Sequence, residues 1–428
     1  MTAMTQTMTG NYTGNYTGNE AAGGLIGPQP AAVLDLRGHL AQHGQLPSLG
    51  PHDVVRLARD AGLTGHGGAG FPLWRKLEAV INSGGRAVVV ANGAEGEPAS
   101  AKDRWLLTHR PHLVLDGLQL VARAVRAGDA YLYASERHRG LDHLIAERRA
   151  AGIDAVRVER AAAPDRFISG EESAAINSIA GGLAIPSSKP PRVVERGLRG
   201  RPTLVSNVET LALLALVARR GPAWFRSAGT ADFPGSMLFT VGGAVRHPGV
   251  VEAPHGTPLT EVLELAGGPT SRLQAVLLGG YHGSWLTAEE AASAAMSRSD
   301  LAAYGASPGA GVVVALAEGV CGLAELSRVM TYLAQESAGQ CGPCLNGLPR
   351  IAEQVRSLAF DGTDAAVFTE LQRLSGLVVG RGACHHPDGS VRFLRTGLRV
   401  FADEVAMHLD RRCTRTSDDR VLPVRMVR

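Results

Sequence analysis

Apolar residues recur with helical spacing over 52–61, and again at Leu73, Leu77 and Val80, so two amphipathic helices flank a glycine-rich loop at 65–70. Residues 87–91 form a short, unbroken apolar run, the pattern of a buried strand. Strand-like runs return at 130–134 and 156–159, with helical patterns at 113–125 and 172–179. This alternation continues to about residue 225 and predicts a layered, Rossmann-like α/β domain. The pattern then changes. Residues 237–245 and 250–253 read as two strands around a Pro248-Gly249 turn, 259–265 as a short helix stopped by Gly267-Gly268, and 275–278 as a third strand. From Leu323 onward the periodicity is helical, at 323–336, 348–359, 364–376 and 391–410, with cysteines between the helices. The predicted division is a disordered tail at 1–30, an α/β domain at 31–228, a small β-rich module at 229–318, a helical domain at 319–412 and a tail at 413–428. The first tail repeats Thr-Gly-Asn-Tyr and offers little to bury.

Composition narrows the function without naming it. Lys and Arg number 43 against 40 Asp and Glu, and aromatics are 5% of the 428 residues, so neither a nucleic-acid footprint nor a base-stacking surface is indicated. No apolar run reaches the roughly 18 residues of a membrane span, and no secretory leader is visible, which predicts a cytoplasmic protein that does not itself span a membrane. Five cysteines in a long chain, three of them clustered late, point to metal or redox chemistry rather than a disulfide framework.

Three kinds of segment carry candidate chemistry. Gly65-His66-Gly67-Gly68-Ala69-Gly70 lets backbone N–H groups crowd an anion while the following helix turns its positive end toward it, and Lys76 adds a point charge. A helix precedes the loop, so it is not the dinucleotide fingerprint that follows a strand. Asn92, Glu95 and Glu97 follow a strand, where ligands of α/β sheets bind. The two carboxylates, two residues apart in an extended loop, face opposite ways and suit separate hydrogen bonds better than a paired acid and base. Glu171 and Glu172 open a helix and suit its dipole, and the segment 201–210 reads as a helix N-cap region. Cys341-Gly342-Pro343-Cys344 reads either as a dithiol switch or, with Cys384, as an iron–sulfur or zinc site. Cys321 and Cys413 read as packing or surface thiols.

Taken in order, these segments resemble the flavin-bearing, NADH-oxidising subunit of bacterial respiratory complex I and its relatives in soluble hydrogenases and formate dehydrogenases. The likeness spans about 50–410 and rests on Gly65–Lys76, Asn92–Arg104, Phe167–Asn177 with Ser188-Lys189-Pro190-Pro191, Arg201–Thr210 and the cysteine region. It implies a β-grasp, soluble-ligand-binding module at 237–280 and an iron–sulfur domain of helices. It further implies FMN on Gly65, Gly67 and Gly68 with Lys76 near its phosphate, lined by Asn92, Glu95, Gly170, Glu171, Ser206, Asn207 and Thr210. Phe71, Glu97 and Glu172 match positions near NAD(P)H, the two glutamates as catalytic candidates. Cys341, Cys344 and Cys384 match cluster ligands, but Ala338 stands at the first cysteine position of the family's pattern, leaving a three-iron cluster or a four-iron cluster with another ligand. The loop arginine is His66, the aspartate after the strand is Ala94, and two aromatics near the adenine are Ala79 and Arg192. The implied role is electron transfer from NAD(P)H through FMN and the cluster to a ferredoxin-like, thioredoxin-fold or quinone-reducing partner, the protein lying peripherally on a membrane through such partners. The alternatives are a cofactor-poor scaffold or assembly paralogue, and a thiol–disulfide oxidoreductase using Cys341 and Cys344.

Overall fold

The computed structural model describes residues 24–27, 33–187, 190–362, 366–413 and 420–424. Most of the two predicted tails, and Ser188 and Lys189, lie outside the described residues. Two pieces assigned to tails are nonetheless built into the fold. Leu25 and Ile26 are buried, the Ile26 N–H donating to Glu252 at 2.9 Å, and Leu422 is buried with its N–H on Glu325 at 2.7 Å. Short apolar pairs inside low-complexity sequence give no periodicity to read, so nothing in one dimension marks them as core.

The first domain is a four-stranded, wholly parallel sheet in the order β3-β2-β1-β4, from β1 (Val88–Gly93), β2 (Asp129–Ser135), β3 (Val158–Ala163) and β4 (Thr203–Asn207). β1 and β2 carry mainly buried apolar residues, as a parallel sheet covered on both faces requires. The helices Pro111–Ala124 and Val208–Arg220 pack together beside β1, burying Leu118, Val121, Leu211 and Leu214. The sequence predicted three of these strands; β4 was hidden inside what read only as a cap. Pairing β1 with β4 sets Ala91 opposite Ser206 and Asn92 opposite Asn207, so two polar loops leave the same edge together.

Asp116 lies in this core with His39 at 2.8 Å, Arg148 at 2.8 Å and Arg219 at 2.5 Å. Burial raises its pKa, but the His39 hydrogen bond and the two guanidiniums outweigh burial and hold it well below the ordinary 3.8. A carboxylate depressed in the folded state stabilises above its unfolded pKa and loses that contribution as pH falls through the folded one. Urea-unfolding stability should therefore decline on acidification below about pH 4, by up to about 1.4 kcal/mol for each pH unit of that range. Asp116→Asn, less stable at pH 7, should show a flatter acid limb; an unchanged slope would remove Asp116 as the cause.

The second module is a five-stranded mixed sheet in the order β6-β5-β9-β7-β8, from β5 (Ser236–Gly243), β6 (Gly249–Pro254), β7 (Leu273–Leu278), β8 (Ser284–Thr287) and β9 (Val312–Ala317), with the helix Leu259–Leu265 across it. The helical domain follows as Gly322–Gln335, Leu348–Phe360, Ala366–Val378, His386–Val400 and Ala402–Leu409. The single helix predicted over 391–410 is two, meeting at Phe401. No helix among the described residues is long and apolar enough to cross a membrane.

Candidate functional site

The glycine loop is closed at its neck by a bridge between Thr64 and Pro72, with the Gly65 N–H on the Phe71 carbonyl at 2.9 Å and the Leu73 N–H on that of Leu63 at 3.0 Å. Gly68 and Gly70 have φ of +104° and +59°, which side chains resist. A Cβ on Gly70 would also strike the Arg298 guanidinium 1.6 Å away. The loop is tied to the sheet edge by the His66 N–H on Thr210 Oγ1 at 2.9 Å and by Gly67 lying over Asn207. Gly67, Ala69 and Phe71 are exposed.

The remaining sequence-predicted residues converge on this edge. The Asn92 side chain donates to the Gly170 carbonyl at 2.8 Å, which draws the loop after β1 to the loop after β3. Gly96 makes the approach possible, because a Cβ there would lie 2.3 Å from the Arg166 carbonyl. Lys76 Nζ bonds the Glu172 carboxylate and, at 3.1 Å, the Val205 carbonyl of β4. Several of these polar groups are already employed. Glu95 accepts from Ser100 Oγ at 2.6 Å and from the N–H groups of Asp103 and Arg104, capping the helix Lys102–His109. Glu171 caps Glu172–Ile179 and Asn207 caps Val208–Arg220. Glu97 accepts the Tyr281 N–H at 2.8 Å from the β-grasp module, so Glu95 and Glu97 bond separate partners. Ser206 is buried at the end of β4.

Beneath the edge lies a buried ion cluster that sequence reading missed. Lys102 Nζ is 2.7 Å from Asp103 and 2.8 Å from Glu209, with Asn207 Nδ2 on Asp103 at 2.8 Å and the Leu238 N–H of β5 on Glu209 at 2.7 Å. Burial works against the ammonium, yet the two carboxylates hold the Lys102 pKa above its ordinary value. Burial in turn pushes the Asp103 carboxyl up against the pull of Lys102. Charged residues at 102, 103 and 209 look like a solvated face in one dimension, which concealed both the cluster and the helix Lys102–His109.

Arg298 was missed too. It starts the short helix Arg298–Ala302 of the β-grasp module, lies over the Phe233 ring at 5.5 Å, and has no hydrogen-bond or ion-pair partner among the described residues. By contrast His66 is buried, and neither of its ring nitrogens, nor those of His255 5.7 Å away, makes a hydrogen bond of normal geometry. Burial holds both imidazoles below their ordinary pKa, so the cation at this loop is Arg298 and not His66.

The cysteine centre sits past the helix Gly322–Gln335, where Cys344 lies in a wide turn, Pro343–Gly347, and Cys384 just before His386–Val400. The Cys341 and Cys344 thiols neighbour each other, and Cys384 is close enough to act on Cys344 electrostatically. Burial, then the two neighbouring sulfurs, push Cys344 up to about 12, against a backbone hydrogen bond from Ala338. Burial also acts on Cys341, but the hydrogen bonds from Ala383 and Cys344 bring its thiol below the ordinary value. Position 338 thus adjoins the triad and supplies a backbone group instead of a thiol. A ring contact links the two regions: Phe167 packs on His282 and His386 at 4.7 and 5.6 Å, and His282 Nε2 lies 3.1 Å from His386 Nδ1.

An exposed amide loop with the Arg298 guanidinium against it, at the C-terminal edge of a parallel sheet, fits a phosphate-bearing flavin. The three convergent thiols fit an iron–sulfur centre with one position lacking a protein thiol. Together they define an electron-transfer flavoprotein. The chain matches the Nuo51 FMN-binding domain over residues 58–215, the SLBB domain over 238–280 and the NADH-ubiquinone oxidoreductase-F iron-sulfur binding region over 324–408. It is 32% identical to the second F subunit of the NADH-quinone oxidoreductase of Rhizobium meliloti, covering 88% of this chain and 93% of that protein. It is 31% identical to the corresponding F subunit of Escherichia coli, with 84% and 85% covered. Among solved structures, an NAD+-reducing [NiFe]-hydrogenase in the H2-reduced state superposes with a TM-score of 0.78 at 31% identity, over 86% of this chain and 63% of that one. The chain belongs to the family of NADH-quinone oxidoreductase F subunits, and it is an FMN- and iron–sulfur-binding oxidoreductase subunit with NADH as substrate.

Proposed function

We propose that this chain is the electron-entry subunit of a larger reductase, holding FMN on Gly65, Gly67 and Gly68 and passing electrons through the Cys341, Cys344 and Cys384 centre to a ferredoxin-like or thioredoxin-fold iron–sulfur partner. The observation that carries this reading is the glycine loop pinned between Thr210 and Arg298. FMN, when bound, takes two electrons from a nicotinamide and releases them singly. Arg298 and, if it leaves Glu172, Lys76 would neutralise its phosphate, and the loop amides would fix its position. Asn92 and Asn207 act by holding the loops rather than by touching the ligand first. Membership of multi-subunit assemblies among the relatives supports partner subunits, and peripheral attachment to a membrane through them is part of the same proposal.

Arg298→Ala tests the cradle. Losing a charge-assisted hydrogen bond costs about 1.5–3 kcal/mol, so FMN should bind roughly ten- to a hundredfold more weakly in flavin titrations, with unfolding stability nearly unchanged. Unaltered affinity would count against the proposed site. Phe71, 45% exposed at the loop, is proposed to contact the nicotinamide nucleotide. Stacking is worth about 0.5–1.5 kcal/mol, so Phe71→Ala should raise the KM for NADH about two- to tenfold at constant kcat. A fall in kcat alone would relocate its role.

A further inference from the structure

Cys321 and Cys413, outside the redox centre, belong together in space. Cys321 caps the start of the helix Gly322–Gln335, whereas Cys341 and Cys344 follow its other end, about 20 Å away at the helical rise. At the Cys321 end, the sulfurs of Cys321 and Cys413 and a ring nitrogen of His408 all lie within 4.8 Å of one another. The helix Ala402–Leu409 carries His408, and Cys413 follows it.

We infer that Cys321, His408 and Cys413 form a binding site for a thiophilic divalent cation of the zinc type, separate from the iron–sulfur centre. The geometry supports this at three points. First, a tetrahedral zinc ion, with bonds of about 2.3 Å to sulfur and about 2.0 Å to nitrogen, sets the sulfur–nitrogen edge near 3.5 Å. Cys321 Sγ and His408 Nε2 are 3.5 Å apart. Second, the Leu358 and Ala359 carbonyls stand at the His408 ring, which leaves Nε2 directed at Cys321. A backbone acceptor on the far nitrogen is the usual means of orienting a metal-binding histidine. Third, Cys321 Sγ accepts the Ala324 N–H at 3.4 Å, which fixes the sulfur at the start of the helix Gly322–Gln335.

Cys321 and His408 are buried and Cys413 is exposed, so the ion enters and leaves from the Cys413 side. Glu404, bonded to Cys321 and to the Leu323 N–H, is a further oxygen donor at hand. Binding is written as two thiols and a neutral imidazole taking up Zn(II) and releasing two protons. No oxidant is needed. The ion would tie the last helix and the segment after it to the first helix of the domain.

The full chain, purified anaerobically with its iron and flavin, should retain one equivalent of zinc(II) after dialysis, released by a strong chelator. Cys413→Ser, at an exposed position, should lose that zinc while iron and flavin counts stay as in the parent. His408→Gln should lose it as well. Cys344→Ser should keep the zinc and lose iron, which separates this site from adventitious zinc on the redox cysteines. Zinc retained by both Cys413→Ser and His408→Gln would overturn the inference. So would recovery of Cys321 and Cys413 in one disulfide-linked peptide from the native protein.

Discussion

Lys102→Met should cost the folded chain about 3–5 kcal/mol, the usual penalty for stripping one partner from a buried ion cluster. The side chains of Lys102 and Glu209 are 1% and 0% exposed, so neither water nor a neighbouring cation can replace the ammonium. Asp103 and Glu209 would be left facing each other's charge in the same pocket. The damage should spread to both domains, since Asp103 holds the Asn207 side chain and Glu209 holds the Leu238 N–H of β5. Urea unfolding of the parent and variant provides the measurement. Adding Glu209→Gln to Lys102→Met should recover part of the loss, because groups in one network are not additive. A cost under about 1 kcal/mol, the range of an exposed ion pair, would mean that the cluster does not hold the two domains together.

The second large effect concerns the cysteine centre. Cys384→Ser should reduce bound iron to background while leaving one FMN per chain, because the triad and the glycine loop draw on different helices and loops. NADH should still bleach the flavin, but reduction of a one-electron acceptor protein should fall at least tenfold. Ala338→Cys should do the reverse, since position 338 already addresses Cys344 through its backbone. A fourth thiolate there should raise iron retention in air and change the cluster's EPR signature to that of a four-iron centre. If Cys384→Ser keeps its iron, the ligand set is misassigned.

Much of this architecture was readable from periodicity. The helices at 51–61 and 73–83, strands β1 and β2 and most of the helical domain coincide with apolar patterns, whereas β3 overlaps the predicted run only at 158–159. What escaped had physical reasons. β4 is five residues ending in Ser206-Asn207, and its cap chemistry masked its strand character. β8 is four residues, too short to show an alternation, whereas β9, an unbroken apolar run from Val312 to Ala317, carries the same signal as β1. The helix His386–Val400 begins before its apolar spacing does, because His386 and Ser390 are buried polar residues. At the site, the glycine loop and the cysteines could be read directly. The employment of Glu95, Glu171 and Asn207 as caps could not, since the same residue types serve ligands and helix ends alike. Arg298 had no local signal at all, because its meaning comes from a contact between two modules distant in sequence.

That contact has a consequence for how the molecule is assembled. The amide cradle comes from the amino-terminal domain, but one of its two cations arrives only when the β-grasp module has docked beside it. A nascent chain halted after residue 228 would carry the loop with half of its positive charge missing. On the proposed function, the loop of the amino-terminal domain would hold the yellow chromophore more tightly once the later-translated module had joined it.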